Sequence, residues 1–168
     1  MRPACLVGDE KRINVRREVN KFFCFGDTRS LNMPQTLAQK ILQAHTDEAV
    51  RSDGQIVQCR VSMVLANDIT GPLAIKSFRG MGAEKVFDKD KIALVMDHFT
   101  PQKDIDSANQ VLISRKFAEE QGITHYYEGG DCGVEHTLLP EQGLVGPGDL
   151  VIGADSHTCT YGGIGAFA

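Results

Sequence analysis

Asp149-Leu-Val-Ile-Gly-Ala-Asp155-Ser156-His157-Thr158 is a short apolar run that breaks directly into an acid, a hydroxyl and an imidazole. Pro147-Gly148 precedes it and Gly162-Gly163 follows it. Apolar runs of this length between such breakers predict buried strands. Buried parallel strands present their chemistry at the carboxyl end, where loops and helix N-termini line a crevice. Lys91-Ile-Ala-Leu-Val-Met96 repeats the arrangement and runs into Asp97-His98. Two strand ends carrying an acid and a histidine predict one site between neighbouring strands.

Working outward, the chain alternates. A helix over 36–45 has Thr36 as cap and Leu37, Ile41 and Leu42 on one face. A strand is predicted at about 55–65, with Cys59 in the core, then a loop from Asn67. A helix opens at Thr70-Gly71-Pro72 and runs to about Arg79, with Pro72 tolerated in the first turn. After the strand at 91–96, a long helix is predicted from about Lys103 to Glu120. Ile105, Ala108, Val111, Leu112, Arg115 and Ala118 share its spacing, and Gly122 ends it. Ile123–Tyr127 is a short strand, 128–148 a Gly- and Pro-rich loop, and 149–154 the last strand. This alternation predicts a three-layer α/β/α fold with a mainly parallel sheet.

Composition bounds the function. The 168 residues suffice for one domain with a real core. A net charge of −4 excludes a general nucleic-acid binder, which shows a basic excess. No apolar run approaches the roughly 20 residues of a membrane helix. The five cysteines lack CxxC spacing, which favours a reducing, cytoplasmic setting over a disulfide framework. The first 33 residues carry seven basic and four acidic side chains, a net of +3 against −7 for the rest. Residues 1–32 read as an unmatched extension, either a disordered arm or sequence upstream of a natural start at Met33. Residues 33–168 form the partial domain. The chain stops at Gly165-Ala-Phe-Ala168, just as a Gly-rich turn would become another helix, so it reads as a fragment.

Three histidines, His98, His136 and His157, neighbour acids or small residues in predicted loops. His45 reads as a solvated helix cap and His125 as a strand residue. Asp97 and His98 point to opposite faces of any regular strand, so they converge only where the chain turns. Asp155 and His157, two apart, fall on one side of an extended segment. Cys132 and Cys159 flank the predicted site, but their spacing matches no zinc or iron–sulfur pattern. Asp-His and Asp-x-His also suit direct divalent-metal binding, so a metal hydrolase is one alternative. A truncated assembly piece without catalysis is another.

Met63-Val-Leu-Ala-Asn67-Asp68-Ile-Thr70, Met96-Asp97-His98-Phe-Thr-Pro101, Gly133-Val-Glu-His136 and Gly153-Ala-Asp155-Ser156-His157-Thr158 occur in the order seen in the aconitase superfamily. Leu139-Pro140-Glu141-Gln142-Gly143 and Thr158-Cys-Thr-Tyr-Gly162 resemble its branch of 3-isopropylmalate dehydratase large subunits and homoaconitase-type enzymes. The resemblance runs from about Met33 to Ala168. It implies an incomplete aconitase-type N-terminal domain of a hydro-lyase. Such an enzyme moves a hydroxyl between adjacent carbons of a branched malate through an alkene, in leucine biosynthesis or, with homocitrate-type substrates, in a related reaction.

The resemblance also implies a [4Fe–4S] cluster whose cysteines lie downstream of Ala168, so no metal ligand is expected in this chain. It pairs His98 with Asp97 and His136 with Asp155, and gives His157 a carboxylate partner from beyond residue 168. Asn67 and Ser156 would bind substrate or its water. A small subunit carrying a swivelling domain would complete a heterodimer or heterotetramer and bring the serine base. The fragment alone is then expected to be inactive.

Overall fold

The computed structural model describes residues 34–168. The expectations for residues 1–32, for the start at Met33, and for Cys5 and Cys24 lie outside the described residues. Four helices and four strands alternate. Helix α1 is Leu37–Ala44, β1 Met63–Asn67, α2 Gly71–Gly80 and β2 Ile92–Val95. Helix α3 is Ile105–Gln121, β3 His125–Tyr127, α4 Glu135–Glu141 and β4 Val151–Gly153, followed by a 3-10 segment Thr158–Ile164.

Local chemistry sets these boundaries. Gln39 N donates to Thr36 Oγ1 at 3.2 Å, and Thr36 N donates to Gln39 Oε1 at 2.8 Å, a reciprocal cap for α1. Asp104 caps α3, and Gly122 ends it at φ 66°, a left-handed conformation that suits glycine. Among the described residues no helix is long and apolar enough to cross a membrane.

The sheet is parallel throughout, in the order β3-β2-β1-β4. Its faces differ by the two-residue period of a strand. Met63, Leu65, Ala93, Val95 and Val151 face Leu138, Leu139 and Tyr161. Ile92, Leu94 and Met96 face Ile75, Val111 and Phe117. The layers are therefore α2 and α3, the sheet, and α4 with the 3-10 segment. The chain runs outward from β1 through β2 to β3, then returns to place β4 on the other side of β1. Connections leave β1's neighbours in opposite directions, the arrangement that opens a crevice at the carboxyl ends.

Three sequence expectations are corrected. The strand predicted at 55–65 begins only at Met63, because β2 and β4 offer β1 no partners before that point. The preceding segment packs on α1 instead: Arg60 N donates to His45 O at 2.7 Å, Ile56 is exposed, and Cys59 is half-buried outside any strand. On α3 the buried residues are Ser107, Val111, Ser114, Phe117 and Ala118, leaving Ile105 79% exposed. Small Ser114 lets α3 approach Gly71 at the start of α2, where an added Cβ would stand 3.2 Å from the serine Oγ. Finally, the presumed loop 128–148 contains α4.

Candidate active site

The carboxyl ends of β1, β2 and β4 meet in one crevice. At the end of β1, Asn67 and Asp68 are fully buried. Asn67 Oδ1 accepts from Ile69 N at 3.0 Å, Thr70 N at 2.8 Å and Thr70 Oγ1 at 2.9 Å. Its Nδ2 donates to Glu135 Oε1 at 3.0 Å. Asn67, expected to touch substrate, thus commits its amide to the wall of the site. Asp68 accepts from His98 N at 3.2 Å and Phe99 N at 2.6 Å, one oxygen each, and so pins the turn after β2.

That turn brings the neighbours Asp97 and His98 together, with His98 Nδ1 2.7 Å from Asp97 Oδ1. The other oxygen of Asp97 accepts from Glu135 N at 2.8 Å, tying β2 to the first residue of α4. Helix α4 points His136 at β4, where its Nε2 lies 2.9 Å from Asp155 Oδ1. The segment after β4 is a turn rather than the extended stretch expected. Asp155 Oδ1 accepts from His157 N at 2.7 Å and lies 3.2 Å from His157 Nδ1. Ser156 Oγ is 3.3 Å from the same nitrogen. The His136 and His157 rings stand 6.2 Å apart, and Tyr161 packs edge-on against His136 at 5.7 Å. The far side of His98, Nε2, lies 3.9 Å from Asp155 Oδ2. Asp97, His98, His136, Asp155, Ser156 and His157 therefore share one crevice. His157 is its most exposed imidazole, at 77%.

The surroundings bias protonation. Burial alone would lower the His98 pKa, but the hydrogen bond to Asp97 and the charges of Asp97, Asp68 and Glu135 outweigh it and hold His98 above its ordinary value. Burial would raise Asp155, yet the His157 backbone N–H and the His136 ring hold it below the usual carboxylate range. Burial pushes Glu135 up, partly offset by Asn67.

The two remaining histidines stay outside the site. His45 is no solvated cap: its Nδ1 lies 2.9 Å from Ile41 O and its Nε2 3.0 Å from Ser62 Oγ, clamping α1 to the approach to β1. His125 belongs to the edge strand β3.

Three sets of side chains bring potential ligand atoms within 4.8 Å: His136–Asp155–His157, Asp68–Asp97–His98 and His98–Glu135–Asp155. In the Asp68–Asp97–His98 set the carboxylate oxygens are already engaged, whereas Glu135 Oε2 of the third set has no partner among the described residues. Both oxygens of Asp68 and both of Asp97 already take a backbone N–H or an imidazole. Cysteine thiolates are no part of these sets. Cys132 and Cys159 direct their thiols at the Gly133 and Ser156 carbonyls, and Cys59 is held against Leu42. The described residues therefore do not form a thiolate nest for an iron–sulfur cluster.

Asp68, Glu135, Thr158 and Tyr161 were not anticipated as site residues. Thr158 Oγ1 donates to Asp155 O at 2.8 Å, and Tyr161 Oη to Glu135 O at 3.2 Å. The only sequence signal was adjacency, Asp68 following Asn67 and Glu135 preceding His136.

Against known proteins, the sequence model described as the aconitase family (aconitate hydratase) matches residues 39–168. A curated 3-isopropylmalate dehydratase large subunit from Desulfovibrio desulfuricans is 92% identical over 136 residues, 81% of this chain and 32% of the relative. Proteins of the same name from Nitratidesulfovibrio vulgaris and Moorella thermoacetica are 79% and 60% identical over the same coverage. The chain spans about a third of the length of these relatives.

Proposed function

The chain belongs to the aconitase family, and from that premise we propose that it contributes one wall of a hydro-lyase active site interconverting 2- and 3-isopropylmalate. The observation that carries this reading is the shared carboxylate of Asp155. It lies 2.9 Å from His136 and 3.9 Å from His98, so two imidazoles converge where β2 and β4 end. The relatives in Desulfovibrio desulfuricans and Nitratidesulfovibrio vulgaris are 3-isopropylmalate dehydratase large subunits, which favours isopropylmalate over homocitrate-type substrates.

Dehydration of a hydroxy acid expels hydroxide, a poor leaving group, so it needs a proton donor and a Lewis acid. His98 fits the donor. Its Nδ1 is pinned to Asp97, the hydrogen bond and charge of that acid raise its pKa against the effect of burial, and its Nε2 makes no direct hydrogen bond among the described residues. His136, fixed by Asp155, lines the opposite wall. His157 and Ser156 stand at the exposed rim, where a carboxylate or hydroxyl of the substrate can meet them. The Lewis acid belongs to the [4Fe–4S] cluster the family implies. The described residues hold no thiolate set for it. Further subunits and the small-molecule substrate belong to the same proposal.

A metal-hydrolase reading has the close ligand sets in its favour, but in the Asp68–Asp97–His98 set a metal would compete with the hydrogen bonds already on those oxygens. Calorimetry with Zn²⁺ separates the two. Tight binding abolished by His98→Ala supports the hydrolase. The dehydratase reading is tested by placing this segment in the full-length Desulfovibrio desulfuricans subunit with its small subunit. The enzyme should convert 3-isopropylmalate through an alkene seen in the ultraviolet, and lose that turnover on His98→Ala. Turnover of homocitrate but not isopropylmalate would overturn the substrate assignment.

A further inference from the structure

Helix α4 begins with a buried acid that neither histidine–carboxylate pair requires. Glu135 is 1% exposed. Its Oε1 accepts from Asn67 Nδ2 at 3.0 Å and stands 3.4 Å from His136 Nε2. Its Oε2 is buried without a partner among the described residues. The backbone of the same residue donates to Asp97 at 2.8 Å and accepts from Tyr161 at 3.2 Å. One residue thus meets the ends of β1 and β2, the 3-10 segment and the next imidazole.

Asn67 cannot swing away from it. Three donors, Ile69 N, Thr70 N and Thr70 Oγ1, occupy the Asn67 carbonyl oxygen, which forces Nδ2 toward Glu135. The Glu135 oxygen so held lies beside the same His136 nitrogen that faces Asp155. His136 Nε2 therefore looks into two carboxyl oxygens, at 2.9 and 3.4 Å, while Nδ1 is buried and unpartnered. A proton on Nε2 meets acceptors, whereas a proton on Nδ1 meets none among the described residues.

We propose that Glu135 is a positioning residue: its buried carboxyl group, fixed by Asn67, orients the His136 ring and keeps the proton on Nε2, facing Asp155. The kinetic part of this proposal rests on the dehydratase reading. Hydrogen bonds to neighbouring side chains choose the tautomer and orientation of functional imidazoles. Glutamine is the near isostere of Glu135 and keeps an oxygen that can accept from Asn67 Nδ2.

The experiment uses the full-length Desulfovibrio desulfuricans subunit carrying this segment, assembled with its small subunit and labelled with ¹⁵N-histidine. Wild type should show His136 as the Nε2–H tautomer. Glu135→Ala should mix the tautomers and lower kcat about 10- to 100-fold with KM little changed, the range for groups that orient a functional imidazole. Glu135→Gln should restore both the tautomer and most of kcat. Asn67→Asp keeps the acceptor for Ile69 and Thr70 but removes the donor to Glu135, and should disturb His136 in the same way where Glu135→Ala does not fold. Unchanged His136 shifts in Glu135→Ala or Asn67→Asp would overturn the proposal, as would Glu135→Gln behaving like Glu135→Ala. An enzyme that turns over no branched malate would sink the functional reading, while the His136 shifts would still decide the role of Glu135.

Discussion

Oδ2 of Asp155 stands 3.9 Å from Nε2 of His98, and its Oδ1 stands 2.9 Å from His136. One carboxylate therefore serves strands β2 and β4 together, through two imidazoles. The 3.9 Å gap is too long for a direct hydrogen bond. It is wide enough for a bridging water or a substrate hydroxyl to complete the link.

Asp155→Asn removes that shared charge. In the complete enzyme it should lower kcat about 10²- to 10⁴-fold, the span typical of acid–base groups. It also bears on acid stability. Asp155 is held below its ordinary value, so its stabilising effect is present above about pH 3.9 and lost as pH falls through the lowered pKa. Denaturant titrations from pH 6 to 2 should show the stability of Asp155→Asn declining less steeply on acidification than wild type.

His98 has the opposite sign. Its raised pKa means the folded state binds more protons than the unfolded state near neutrality. The Asp97–His98 pair contributes fully below about pH 6.5 and fades as pH rises through the His98 pKa. Unfolding midpoints of wild type and His98→Gln should differ most near pH 6 and converge on the alkaline side. A gap that widens with pH would contradict the ion pair.

Gly153 closes β4 against Thr158. A Cβ built there would collide with the Thr158 side chain, whose hydroxyl holds the Asp155 carbonyl. Gly153→Ala should destabilise the fold by about 1–3 kcal/mol, as overpacked sites do. It should also disturb the Asp155–His157 turn. Adding Thr158→Ser, which keeps the hydroxyl and removes the methyl, should recover part of the loss by thermal unfolding.

Cys132 is a half-buried thiol within the field of the crevice acids. Burial first, then the charges of Asp97 and Asp68, push it up to about 11. The thiolate is the nucleophile, so iodoacetamide at pH 8 should modify Cys132 at least about tenfold more slowly than a free thiol of ordinary pKa. Peptide mass spectrometry over time measures this. Labelling at the free-thiol rate would show that the thiol is not shielded.

Much of the frame was legible because each long element carried its own punctuation. Thr36 with Gln39, Pro72 after Gly71, and Gly122 after a long helical period mark their helices without tertiary help. The paired acids and histidines stood out because they interrupt apolar runs. Helix α4 was hidden because it is seven residues long, contains Pro140, and lies among glycines. Its stability comes from burying Leu138 and Leu139 on the sheet, which local sequence does not report. Asp68 and Glu135 were missed for a related reason. An acid reads as solvent-facing until the fold surrounds it with N–H donors, and those donors come from Asn67, His98 and Phe99. Ile105 misled in the other direction, since helical spacing fixes a stripe but leaves open which stripe turns inward.

Ser62 and Leu150, at the mouths of β1 and β4, are hydrogen-bonded neighbours although 88 residues separate them. The entropy of closing so long a loop grows slowly, by about 0.6 kcal/mol per doubling, so the obstacle is one of timing rather than of final stability. Chains that depend on distant partners reach them slowly. During synthesis from the N-terminus, β1, β2 and β3 emerge and can dock long before β4 leaves the ribosome. His98 then waits without its second carboxylate, and the crevice is among the last features of this segment to be born.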